Sequence, residues 1–336
     1  MRAALIALLA GLLAGCAAVP VGLPPVAVTA SAETAPVGTA NLDAADDPAI
    51  WRNFADPGAS LIVATDKRAG LYVYDLSGAI RSFFDAGLVN NVDLLDMGSG
   101  NVIVVASDRN DPLQAKLQVF RLDTKGARLE ALAKLEGGAG EGYGLCLLRQ
   151  KDTILAYSVL KDGTVQESRI SLSGGAPTSV PLRTLKVPTQ AEGCVADPRS
   201  GDLYVGEERA GIWRFAAGAP TGAIVAPVDN HYLVADVEGL ALVPEGADGG
   251  YLVASSQGDN AYAVFRLPAM QPVGRFRIAA GRHGSAEETD GIALHGGDFG
   301  PAFPNGLFIA QDGNNAPAAQ NFKFVSWAAI RDALGL

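Results

Sequence analysis

The sequence is poor in the side chains that build thiolate and imidazole sites. Its 336 residues include only three cysteines, three histidines, three methionines and three tryptophans. No Cys/His spacing matches a zinc site, and His231 and His295 fall in loop-like or surface stretches. Positive charge is also short: 26 Lys+Arg stand against 36 Asp+Glu, a net charge of −10. That excludes a typical nucleic-acid binder, whose footprint is basic. Charged residues make up 18% of the chain and hydrophobic ones 49%, which excludes disorder for its bulk. The apolar run from Ala3 to Ala14 is too short to span a bilayer, which takes about 20 residues. No long 3.6-residue apolar pattern precedes the tail Ala328–Leu336, and this argues against a parallel barrel with interleaved helices.

Glycine is what the chain has in excess, 40 residues, roughly 12% against a usual 7%. Turns joining many short strands produce such an excess. At the N-terminus, Met1-Arg2, the apolar run and Leu13-Ala14-Gly15-Cys16 describe an export signal. The last four residues resemble the bacterial lipobox. That resemblance implies a signal over 1–16, a lipid on Cys16 and, with Ala17-Ala18 following, an outer-membrane address. Residues 17–40, rich in Pro, Ala, Val and Thr, predict a flexible linker before a single domain over 41–336. Cys146 and Cys194 sit in apolar strand-like runs. A disulfide is permitted in an exported protein, but the pattern predicts two small core hydrophobes.

A repeat organises everything after residue 40. Acidic or amide residues, often beside glycine, run straight into apolar ones at Asp46-Asp47-Pro48, Asn90-Asn91-Val92-Asp93, Glu141-Gly142-Tyr143, Glu192-Gly193, Glu238-Gly239 and Asp290-Gly291. Anchors at 47, 93, 143, 192, 238 and 290 lie 46 to 52 residues apart. Each is followed by two β-rich runs flanking a polar tip, such as Thr65-Asp66-Lys67-Arg68 or Gly206-Glu207-Glu208-Arg209. Three or four strands per period, six times over, predict an all-β, six-bladed β-propeller. In an antiparallel meander the start of strand one and the turn between strands two and three share one end. All anchors and tips therefore converge on one mouth of the ring.

The mouth is sorted by charge. Lys67, Arg68, Arg109, Lys161 and Tyr143 come from blades one to three, and Glu207, Glu208 and Gln257 from the tips of blades four and five. Asp46, Asp47, Asp93, Glu192, Asp236, Glu238 and Asp290 add carboxylates. So many acids at one mouth predict hard cations with oxygen ligands: calcium, magnesium or manganese. Cations beside fixed Lys and Arg suit a polyphosphorylated ligand, either hydrolysed or simply bound.

Asp43-Ala44-Ala45-Asp46-Asp47-Pro48-Ala49-Ile50-Trp51 and Asn90-Asn91-Val92-Asp93 resemble the two signature motifs of the β-propeller (alkaline) phytases. Supporting stretches include Asp236-Val237-Glu238-Gly239-Leu240, Ser255-Ser256-Gln257-Gly258 and Thr289-Asp290-Gly291-Ile292, so the likeness runs over about residues 36–335. It implies a six-bladed propeller that binds several calcium ions and hydrolyses phytate or calcium–phytate by attack of water, with no phosphoenzyme. By the same resemblance Asp46, Asp47, Glu192, Glu208, Asp236, Glu238, Gln257 and Asp290 would hold calcium. Lys67, Arg109, Tyr143 and Lys161 would grip phosphate, with Glu192 counted among the catalytic set. Arg68, Asn91 and Asp312 are further candidates for substrate contact. A monomer is expected, touching a membrane only through Cys16.

Two departures from the family pattern stand out. Leu94-Leu95 follow where an arginine is common, and Arg209-Ala210 replace a further acid. Arg282-His283-Gly284 opens like the histidine acid phosphatase motif but lacks the second arginine and proline. Gly138–Gly144 fits no nucleotide loop. The competing functions are a non-catalytic propeller binding a polyphosphorylated ligand or a protein, and a lactonase-type calcium propeller, for which no histidine is suitably placed.

Overall fold

The computed structural model describes residues 21–40 and 43–336. Six sheets, antiparallel but for one added strand, stand in a ring, the expected six-bladed propeller. Their first strands are Ala45–Trp51, Val89–Asp96, Gly142–Gln150, Ala191–Ala196, Val237–Glu245 and Ile292–His295. Among the described residues no helix is long and apolar enough to cross a membrane. The export signal and Cys16 lie outside the described residues.

Each blade is sandwiched between two others, so its second strand is buried on both faces. In Leu61–Asp66, Leu61 and Val63 join a core with Val92, Val104 and Phe120 of blade two. Ile62 and Ala64 face the other way, toward Phe299, Leu307, Ile309 and Phe322 of blade six. Near-continuous apolar runs such as Val102–Ala106 follow from this two-sided burial. The fourth strands are the rim; Ile80–Asp85 is half open to solvent.

The ring closes through the segment expected to be a tether, and that expectation is corrected for residues 21–40. Ala32–Glu33 pairs with Asn321–Ser326 and becomes the fourth strand of blade six. Val26–Thr29 pairs in parallel with Gln271–Ala279 as a fifth strand of blade five. Further out, the Gly22 amide donates to Asp259 Oδ2 (2.8 Å), the Leu23 amide donates to the His231 carbonyl (2.8 Å), and Arg275 Nη1 donates to the Leu23 carbonyl (2.6 Å). Pro and Ala dominate the composition here, but Val26-Ala27-Val28-Thr29 carries the β-branched residues a strand needs. Inside the seam Lys323, fully buried, pairs with Asp312 at 3.1 Å and with Glu33.

Cys146 and Cys194 form a disulfide with Cα atoms 5.7 Å apart, against the expectation of two free core thiols. They lie 48 residues apart, one repeat, and so face each other from the first strands of adjacent blades. Closing a loop of that length is worth about 4 kcal/mol on the chain-entropy account.

Candidate active site

Five of the six first strands carry one extra residue at the same place. Ala45 pairs with Asp66 and Pro48 with Ala64, three steps against two. The same bulge recurs between Val89 and Val92, Gly142 and Leu145, Ala191 and Cys194, and Val237 and Leu240. In blade six Asp290-Gly291 holds the same phase, directly before Ile292. A bulge re-aims the side chain it carries. The residues brought into phase are Asp46, Asn90, Tyr143, Glu192, Glu238 and Asp290.

After four of them comes glycine, because the next inner strand passes too close for a side chain. A Cβ on Gly144 would sit 1.8 Å from the Glu192 carbonyl oxygen, and one on Gly193 2.1 Å from that of Glu238. In blades one and two this second position holds Asp47 and Asn91 instead. Asp47 Oδ2 accepts from the Val92 amide of the next blade at 3.0 Å. Its carboxyl, lining the channel below the mouth, is pushed well up by burial and then by the charges of Asp46 and Asp93. The end of the Asn91 side-chain amide lies 3.1 Å from both the Tyr143 carbonyl and Glu192 Oε1.

The mouth is a cavity of about 480 Å³ lined by Lys67, Tyr143, Gln190, Glu192, Glu208, Asp236, Glu238, Gln257 and Asp290, with Asp43, Glu288 and Gln320 at its rim. Carboxylate oxygens of Glu192, Glu208 and Glu238 all lie within 4.8 Å of one another, and all three residues are buried. Burial comes first in raising the Glu192 and Glu238 carboxyls well above the usual range, and their acidic neighbours add to it. Glu208 is raised by burial too, held back by the Gln190 amide, whose Nε2 donates to it at 2.6 Å. Asp290 is pushed up to about 7, by burial and then by Asp46. Glu238 Oε2 is buried with no hydrogen-bond partner.

That orphan oxygen and an all-oxygen donor set fit a hard cation. Two ligands at about 2.4 Å from one ion stand at most about 4.8 Å apart, and these three carboxylates fall within that limit.

Against this acidic side stand the cations. Lys67 Nζ reaches Asp43 and Asp46 at 2.8 Å and Asp290 at 3.4 Å. Burial alone would lower its pKa, but Asp46, Asp290 and Glu192 outweigh that and raise it. Arg109 is held by Asn90 Oδ1 and Glu141, with its guanidinium 5.6 Å from the centre of the Tyr143 ring. Lys161 Nζ lies 5.2 Å from the same centre.

Most of the expected site is therefore assembled. Five expected members are placed elsewhere: Asp93 lines the channel with Asp47, and Glu207 accepts from the Thr189 amide and from Trp213 Nε1. Asp47 is spent on a blade-to-blade bond, and Asn91 sits one step below the mouth. Asp312 is buried in the closing seam, accepting from the Glu287 and Asn314 amides and pairing with Lys323. Arg68 lies exposed on the rim, its Nε donating to the Asp43 carbonyl at 3.0 Å. Sequence reasoning passed over Asp43, Asn90, Glu141 and Gln190 as site members. Asn90 could have been found by aligning the repeats on the bulge.

A family model described as phytase matches residues 2–336. The chain is also 36% identical over 327 residues to a 3-phytase of Bacillus subtilis (strain 168), covering 92% of this chain and 85% of that protein. With a six-bladed ring whose mouth sets carboxylates against fixed cations, and a match along almost its whole length, the chain belongs to the phytase family.

Proposed function

We propose that this enzyme releases inorganic phosphate from phytate in a calcium-dependent reaction at the channel mouth, without a covalent phosphoenzyme. The observation that carries the reading is the Glu192–Glu208–Glu238 cluster with its orphan oxygen, sharing one cavity with Lys67 and Tyr143, while Arg109 and Lys161 stand 5.6 and 5.2 Å from the centre of the Tyr143 ring. Glu192, Glu208 and Glu238 would hold calcium, with Asp236, Gln257 and Asp290 in support. When bound, calcium polarises phosphoryl oxygens and acidifies water, so hydrolysis needs no protein nucleophile. The chain's own residues do the rest. Arg109 and Lys161 bind phosphate oxygens through charge-assisted hydrogen bonds. Tyr143, with its hydroxyl pK raised by burial and the charges of Glu192 and Glu238, keeps its proton and donates. Lys67 holds Asp46 and Asp290 in place and presents its positive charge to the ester.

The test is phosphate release from phytate with calcium, with chelator, and in Glu192→Gln and Lys161→Ala. Release should vanish with chelator and return with calcium. Glu192→Gln should lose roughly 100-fold or more in kcat, within the range for removing one electrostatic group at a reacting centre. Release that persists undiminished without calcium would overturn the mechanism. A folded, calcium-loaded protein that binds phytate and releases nothing would make it a binding module.

We also propose that the protein is exported and held to the outer membrane by a lipid on Cys16. Supporting this are the Met1–Cys16 pattern and the Cys146–Cys194 disulfide, a bond of oxidising compartments. A labelled fatty acid should be incorporated by the natural chain and not by Cys16→Ser; equal labelling would refute it.

A further inference from the structure

We propose that Asn90 is a positioning residue that holds Arg109 ready for substrate while keeping it off the buried carboxylates. The proposal rests on the reading of the mouth as a site for phosphate esters. Of the six residues in phase, four are acids and one is a phenol; Asn90 alone is a neutral amide, and it is fully buried. Its two ends face opposite charges. Oδ1 accepts from Arg109 Nη1, while Nδ2 donates to Glu192 Oε1 at 2.8 Å and lies 3.3 Å from Asp46 Oδ1.

A guanidinium beside buried carboxylates is drawn onto them, and a bidentate pair would occupy the fork that a phosphate needs. Asn90 stands in the way. It satisfies one N–H of Arg109 and one oxygen of Glu192, and its dipole lies along the field between them. Glu141 takes the other arm of Arg109, and Tyr143 offers its ring. The guanidinium is thus fixed at three points, and none of them is a carboxylate of the buried cluster.

The consequence is coupling between Asn90 and Arg109 in substrate binding. In the full, calcium-loaded chain, Asn90→Leu should raise KM for phytate about 10-fold, the scale of losing a hydrogen bond to a charged group, with a smaller change in kcat. In an Arg109→Ala background the same change should alter KM by less than about 2-fold, because its route is already gone. Asn90→Asp keeps an acceptor but puts a carboxylate on Arg109 and takes away the donor to Glu192, so it should raise KM at least as far as Asn90→Leu. It also covers the case in which the leucine variant fails to fold.

Calorimetric binding of inositol hexasulfate, a polyanion that offers no phosphate ester, should follow the same pattern. If the natural chain binds it yet releases no phosphate from phytate, the hydrolytic reading fails while the coupling can still be measured. Effects of Asn90→Leu and Arg109→Ala that simply multiply would overturn the proposal. So would an Asn90→Asp variant that keeps the natural KM.

Discussion

A carboxylate buried among other carboxylates has two ways out: it takes a proton or it shares a cation. Asp290 shows the balance. Burial and then the Asp46 charge raise it from 3.8 to about 7, although Lys67 pulls the other way. In the unfolded chain it titrates near its ordinary value, so between pH ~4 and ~7 the folded state holds the extra proton. The stability linked to this group is present below that window and lost as pH rises through it. With chelator, the Tm should therefore fall as pH is raised from about 5 to 8, and Asp290→Asn should flatten the slope. Saturating calcium, which binds the ionised form, should flatten it as well. Thermal melts across that range decide; a chelated Tm that climbs, or a slope untouched in Asp290→Asn, rejects the account. Such an outcome was visible in the sequence only as a crowd of acids. Which of them are buried depends on a fold that residue types alone do not reveal.

The element that makes the site is the bulged first strand. Its recurrence was legible because each copy joins a polar residue to an apolar run, a local signal that survives divergence between blades. Its phase was not. Asp46-Asp47 and Asn90-Asn91 each offer two polar residues in a row, and one extra residue in the strand decides which enters the mouth. Hence Asp47 was expected at the mouth alongside Asp46, and Asn90 was overlooked. The same elements depend on close approach. In Gly193→Ala the new Cβ would meet the Glu238 carbonyl oxygen at 2.1 Å, and that atom is backbone with no rotamer to yield. Relieving the clash should cost about 1–3 kcal/mol and spread Glu192 from Glu238. Urea unfolding and a calcium titration should show a less stable protein that needs more calcium. Unchanged values in both would mean that strand contact does not set the carboxylate spacing. The disulfide belongs to this scale too: a spacing of one repeat between Cys146 and Cys194 was its signal.

For the whole molecule, six periods of similar length were enough to fix the blade count and to gather every tip at one mouth. Closure was hidden, because it uses a strand of two residues, Ala32–Glu33, in a stretch whose composition reads as linker. The N-terminal segment has a second effect. Gly22 is fastened to Asp259, at the blade-five tip beside Gln257 of the mouth. From Cys16 to Gly22 the chain can reach about 20 Å at full stretch. On a lipid-bearing Cys16 the leash is short and leaves from the catalytic side. The enzyme would graze face-down along the bilayer, taking its substrate from the thin layer of water over the headgroups.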